Sequence, residues 1–111
     1  MAQYDFDTDR EEGFAVEERR KTKRPRKWKV LLHNDDYTTM EFVIHILMKH
    51  FHKAPADATH VMLQVHQKGV GVAGIYPREV AETKVHEATD DALENGMPLK
   101  LTTEPAEEES A

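Results

Sequence analysis

The sequence predicts an α+β fold: a three-stranded antiparallel sheet covered by three helices, in the order β-α-α-β-α-β. Three observations carry this reading. Apolar residues recur at i, i+3, i+4 and i+7 from Met40 to Phe51, the period of a helix with one buried face. Short apolar or alternating runs at residues 28–33, 70–76 and 99–103 have the length and composition of strands. Three short strands leave one broad face to be covered, and helices are the available cover.

The first strand, residues 28–33, is expected to bury Val30, Leu31 and Leu32. Thr38 and Glu41 then match a capping box, with Tyr37 and Phe42 spaced as a hydrophobic staple. The helix that follows shows Met40, Val43, Ile44, Leu47, Met48 and Phe51 inward, and Glu41, His45, Lys49 and His52 outward. Pro55 suits the first position of a second helix, whose apolar face is Val61, Met62 and Val65, and Gly69 is its expected stop. A strand over residues 70–76 contains Gly74, a point of weakness or of close backbone approach. Pro77 opens a third helix that ends at Asn95 and Gly96. Its inward stripe of Ala81, Val85, Ala88 and Ala92 is small, which lets it pack close to a sheet. Leu99, Leu101 and Thr103 alternate as the last strand.

Composition and charge set the outer limits. The chain of 111 residues is 39% hydrophobic and 32% charged, enough for one modest core with polar segments outside it. No apolar run reaches the ~18 residues of a membrane helix, so no membrane partner is expected. The acidic start lacks the apolar stretch of a secretory signal peptide. With no cysteine there is no disulfide, thiolate metal site or cysteine nucleophile. A bacterial-type cytoplasmic protein, monomeric, is the simplest expectation.

The net charge of −6 is divided into blocks. Residues 1–18 hold seven acids against one base, residues 19–29 hold eight bases and no acid, and the last eight residues hold four acids. Such blocks point to a disordered arm over residues 1–26, a domain over 27–104 and a disordered acidic tail over 105–111. The basic block is short, carries one aromatic residue and has an acidic neighbour to compete for it. A partner-seeking arm therefore fits it better than nucleic-acid binding.

The stretch LLHNDDYTTMEF places Asn34, Asp35 and Asp36 side by side in front of the first helix. Asn and Asp favour turns, and acids complement a helix N-terminus. With Thr38 as the cap, one further acid completes that structural task, and two polar side chains are left beside an apolar stripe. His66 stands at the edge of the second helix's apolar face, where a helical histidine is most often a plain surface residue. A neutral imidazole also accepts a hydrogen bond from an ammonium group. A carboxylate, an amide oxygen and an imidazole together suit a peptide's α-amino group, and Met40, Met62 and Val65 suit its first side chain.

LLHNDDYTTMEFV, MLQVHQKGVGV and EVAETKVHEA, in this order and spacing, resemble the ClpS family of adaptors for the bacterial Clp protease. The likeness covers about residues 27–104. It implies an α+β domain that recognises N-degrons, peptides beginning with Leu, Phe, Tyr or Trp, and delivers them to a ClpA-type AAA+ unfoldase. It places Asn34, Asp35, Asp36 and His66 at the α-amine. Leu32, Thr38, Met40, Val43, Met62, Val65 and Leu99 fall in the side-chain pocket, with Met40 as its gatekeeper. Glu79 and Lys84 fall on the surface that docks on the unfoldase's N-terminal domain, and the N-terminal arm corresponds to the extension that engages the unfoldase. No cofactor is implied. Thr39 departs from the family's usual proline in the first helical turn.

Other readings are poorer in support. An enzyme with His66 and an aspartate as an acid–base pair lacks a nucleophile and a group to polarise its substrate. A weak metal site at His50 and His52 lacks a motif of known ligand spacing. A protein-interaction module of ribosomal stalk-like type accounts for the helices and sheet, but has no need of Asn34, Asp36 and His66 together.

Overall fold

The structure, a computed structural model, describes residues 26–106. Most of the expected arm, and residues 107–111 of the expected tail, lie outside that range. The elements run β1 (Lys27–His33), α1 (Met40–Phe51), α2 (Pro55–Lys68), β2 (Val70–Pro77), α3 (Arg78–Glu94) and β3 (Lys100–Pro105). The β-α-α-β-α-β order and the antiparallel sheet are as the sequence predicts.

The sheet has the strand order β2-β1-β3, so the first strand lies in the centre with antiparallel partners on both sides. Its alternation divides the two faces. Val30 and Leu32 are fully buried under the helices, while Leu31, expected to be buried, is only half covered on the open face. Pairing with β2 slips by one residue between Val30 and Leu31, at the position facing Ala73 and Gly74. Val70, Val72 and Ile75 share the open face with Leu31 and remain partly exposed.

The helix ends follow local chemistry. At α1 the structure corrects the expected cap. Thr39, not Thr38, is the N-cap, its hydroxyl accepting the Phe42 amide at 3.0 Å. Thr38 is taken instead by a turn that Asp35 organises. The helix stops at His52, which adopts a left-handed conformation (φ 56°). Its buried residues are Val43, Ile46, Leu47 and Phe51, with Met40 and Met48 largely exposed. Ile46 lies off the expected stripe because α1 packs against both other helices and β2, which widens its covered face.

The second helix starts at Pro55 and ends at Gly69 (φ 89°), as its sequence signals require. Pro77 is not the first residue of α3. It ends β2 and flanks the helix, which begins at Arg78. Ala81, Ala88 and Ala92 are fully buried, so α3 lies close against β1, β2 and β3. The last strand, Lys100–Pro105, extends beyond its expected end at Thr103. Pro105 pairs with Trp28, and the Ala106 amide donates to the Lys27 carbonyl at 2.9 Å. The two-sided pairing of the central strand carries the strand over these residues.

One cluster fastens α1 to α3. Asp91 Oδ2 accepts from His50 Nε2 at 2.8 Å and Lys49 Nζ at 3.1 Å, with His45 Nε2 at 3.9 Å, and Asn95 donates to Oδ1 at 3.0 Å. The hydrogen bond from His50 is the main reason that the Asp91 carboxyl lies below its ordinary range, with Lys49 adding to it.

Candidate functional site

A cleft of about 370 Å³ opens between the loop that follows β1, the N-terminal half of α1 and the C-terminal half of α2. Its walls are Asn34, Asp35, Asp36, Thr38, Thr39, Met40, Val43, Met62, Val65 and His66. The structure thus gathers nine of the expected amine and pocket residues around one cavity. Leu32 and Leu99 are not among its lining. Both are core residues, fully or nearly fully buried. Thr39 also lines the cleft, although in the sequence it stands out only as a departure from a familial pattern. Its place follows from being the N-cap.

The loop owes its shape to Asp35. Oδ1 accepts the amides of Tyr37 at 2.8 Å and Thr38 at 2.7 Å, and Oδ2 accepts the Thr38 hydroxyl at 2.8 Å. This is an Asx turn with a second oxygen engaged. Burial pushes the carboxyl up, but the hydrogen bonds from Thr38 and Tyr37 outweigh it and hold the group below its ordinary value. Both oxygens of Asp35 are therefore engaged by the turn, Oδ1 twice and Oδ2 once.

Its neighbour differs. Among the described residues, the side chains of Asp36, Asn34 and His66 have no hydrogen-bond partner, and all three are exposed at the cleft. The strand end fixes Asn34, whose amide donates to the Gly69 carbonyl at 3.0 Å. That bond also joins the acidic loop to the C-terminus of α2, where His66 sits one turn earlier. Opposite these polar groups, Val43, Met62 and Val65 are buried and present an apolar floor, and Met40, 45% exposed, stands at the mouth.

Such a cleft sets an apolar floor beside convergent acceptors, two features of a small-ligand site. Carboxylate, amide oxygen and imidazole nitrogen offer acceptors to a group with several N–H donors and no lone pair. Catalysis has less to build on. The Thr38 hydroxyl donates to Asp35, and the Thr39 hydroxyl serves the cap. Among the described residues no three His, Asp or Glu side chains are grouped to hold a metal ion. His50, half of the possible chelating pair, is turned to Asp91.

The family model described as "ATP-dependent Clp protease adaptor protein ClpS" matches residues 23–102. The chain belongs to the ClpS family. The ATP-dependent Clp protease adapter protein ClpS of Desulfatibacillum aliphaticivorans is 56% identical over 90 residues, covering 81% of this chain and 86% of the relative. The ClpS adapter of Myxococcus xanthus is 54% identical over 89 residues, covering 80% and 83%. The structure of Agrobacterium tumefaciens ClpS2 bound to L-phenylalaninamide superposes with a TM-score of 0.72 at 44% identity, covering 75% of this chain and all of that one. Both relatives are adapter proteins of the ATP-dependent Clp protease.

The two expected docking residues lie on α3, away from the cleft. Glu79 is exposed in the first turn. Lys84 is half-buried, and its ammonium donates to the His50 carbonyl at 2.9 Å, with the rings of Tyr76 and Phe51 at 5.3 and 5.9 Å. It thus satisfies a carbonyl at the C-terminal end of α1, a contact that links helices 34 residues apart in sequence.

Proposed function

We propose that this ClpS adaptor binds the N-terminal residue of N-degron substrates and delivers them to a ClpA-type AAA+ unfoldase. In this reading the substrate's α-ammonium donates to Asn34, Asp36 and His66. Asp35 shapes the loop that presents them, and the first side chain, Leu, Phe, Tyr or Trp, enters between Met40, Val43, Met62 and Val65. The observation that carries it is the contrast within the acidic pair: Asp35 is consumed by its turn, while Asp36 is left open at the mouth of an apolar cleft. The ligand of the Agrobacterium ClpS2 structure, L-phenylalaninamide, supports the same chemistry, since it joins a free α-amine to an aromatic side chain.

Docking would use the exposed Glu79 on α3, with Lys84 fixing the junction of α3 and α1, and residues 1–26 would engage the unfoldase. The site of action would be the cytoplasm. The test is a peptide beginning with Phe, compared free and N-acetylated. Each hydrogen bond to a charged group is worth about 1.5–3 kcal/mol, so acetylation should weaken binding by roughly ten- to 150-fold or more. Equal affinity for the two peptides would sink the proposal.

A further inference from the structure

We infer that Gly71 sets the depth of the substrate pocket, and so its capacity for the largest aromatic N-terminal residues. This rests on the peptide-binding reading above. Gly71 lies in β2, buried, and does not line the cleft. Its backbone has no left-handed φ, unlike Gly69 and Gly96, so conformation does not demand a glycine there. Space does. A Cβ at Gly71 would stand 2.8 Å from Val65 Cγ2, 3.3 Å from the Val61 carbonyl oxygen and 3.4 Å from Val61 Cγ1.

Val65 is the residue through which this crowding reaches the ligand, because it lines the cleft that Gly71 stands outside. Both valines are β-branched residues in a helix, where one χ1 rotamer dominates, so neither γ-methyl swings aside readily. The strand has little room to retreat. Gly71 pairs with Leu32 of β1, whose side chain is fully buried in the core. A methyl group at position 71 therefore displaces Val65, and with it this stretch of α2, towards the pocket. Interiors packed to crystal density pass on a shift of this size. An indole needs the deepest cavity and loses most, whereas a leucine side chain is smaller and loses least.

The experiment measures dissociation constants of L-tryptophanamide and L-leucinamide for the full chain, for Gly71→Ala, for Val65→Ala and for Gly71→Ala/Val65→Ala. Thermal melts establish that each variant is folded. In Gly71→Ala, affinity for the tryptophan amide should fall roughly tenfold relative to the leucine amide, the scale of one misplaced methylene in an apolar pocket. Val65→Ala alters the pocket wall by itself, so it is the reference for the double variant: adding Gly71→Ala in that background should change the ratio by less than about threefold. An unchanged ratio in Gly71→Ala overturns the inference, as does an equally large change when Gly71→Ala is added to Val65→Ala. If Gly71→Ala alone does not fold, the comparison of the double variant with Val65→Ala decides. Folding with the ratio of Val65→Ala supports the inference. Another ratio, or a double variant that fails to fold where Val65→Ala folds, overturns it, because the cost of the methyl then does not pass through Val65. Binding of neither amide by the parent chain would overturn the peptide-binding reading itself, a result separable from all of these.

Discussion

Two regions of the molecule gather acids and histidines at a helix end, and they treat them in opposite ways. At the C-terminal end of α1, Asp91 is enclosed by His50, Lys49 and Asn95, and its side chain is 12% exposed. At the N-terminal end of the same helix, Asp36, Asn34 and His66 face a cleft without partners among the described residues. A cluster that satisfies itself is a fastener, since its donors and acceptors already have what solvent would offer. A cluster left open beside an apolar floor retains its hydrogen-bonding capacity for a ligand. Asp35 is instructive because it belongs to the second region by position and to the first by its bonding.

The largest expected effect comes from exchanging the damage between the regions. Asp36→Ala should lower affinity for a Phe-initiated peptide by roughly ten- to 150-fold, the worth of one charge-assisted bond, and leave the melting temperature almost unchanged. Asp91→Ala should do the reverse, costing about 1–3 kcal/mol of stability with peptide affinity within threefold. Paired calorimetry and peptide titration read both quantities. Should Asp91→Ala abolish binding while the protein stays folded, the division between the regions is wrong.

Acid separates the two groups of carboxylates next. Asp91 and Asp35 both have folded-state values below the reference value of 3.8. A depressed carboxyl stabilises the fold while ionised, so its contribution is complete above the unfolded value and is lost as pH falls through the lower folded one. Stability should therefore decline below about pH 4, and Asp91→Asn should flatten that decline. A denaturant melt series from pH 2 to 6 measures it; an acid limb as steep in Asp91→Asn as in the parent would remove Asp91 as its source.

A smaller change is expected at the gate. Met40 projects into solvent at the mouth of the cleft and would meet a branched β-carbon. Met40→Ala should improve affinity for Ile- and Val-initiated peptides relative to Leu by roughly fivefold, or about 1 kcal/mol. No relative gain would show that the filter lies deeper, at Val43 or Met62.

The smallest effect on binding should follow from starting the chain at Lys27. Both regions lie within the remaining domain, so peptide affinity should stay within about threefold of the full chain. Degradation of an N-degron substrate by the unfoldase–protease complex should fail, because the segment proposed to engage the unfoldase is gone. Full-rate degradation with the shortened chain would make residues 1–26 dispensable for delivery.

Much of this protein is legible in its sequence because the governing interactions are local. Pro55, Gly69 and the Asn95–Gly96 pair mark helix ends through backbone preferences that belong to the residues themselves. Helical period placed Val43, Met62 and Val65 on faces that meet at the cleft. Local rules were less decisive where two residues could do the same job. Thr38 and Thr39 are both competent caps, and only Asp35, by claiming the Thr38 amide and hydroxyl, leaves the cap to Thr39. The same claim distinguishes Asp35 from Asp36, which composition and spacing treat alike. Contacts between distant segments were not legible at all. The His50–Asp91 bond spans 41 residues, the Lys84 bond to the His50 carbonyl spans 34, and neither leaves a periodic trace. Leu32 and Leu99, expected at the pocket, are buried and outside the lining of the cleft for the same reason: whether a buried apolar side chain faces a cavity or a neighbour is settled by how helices and sheet pack, and that packing is a property of the assembled layers.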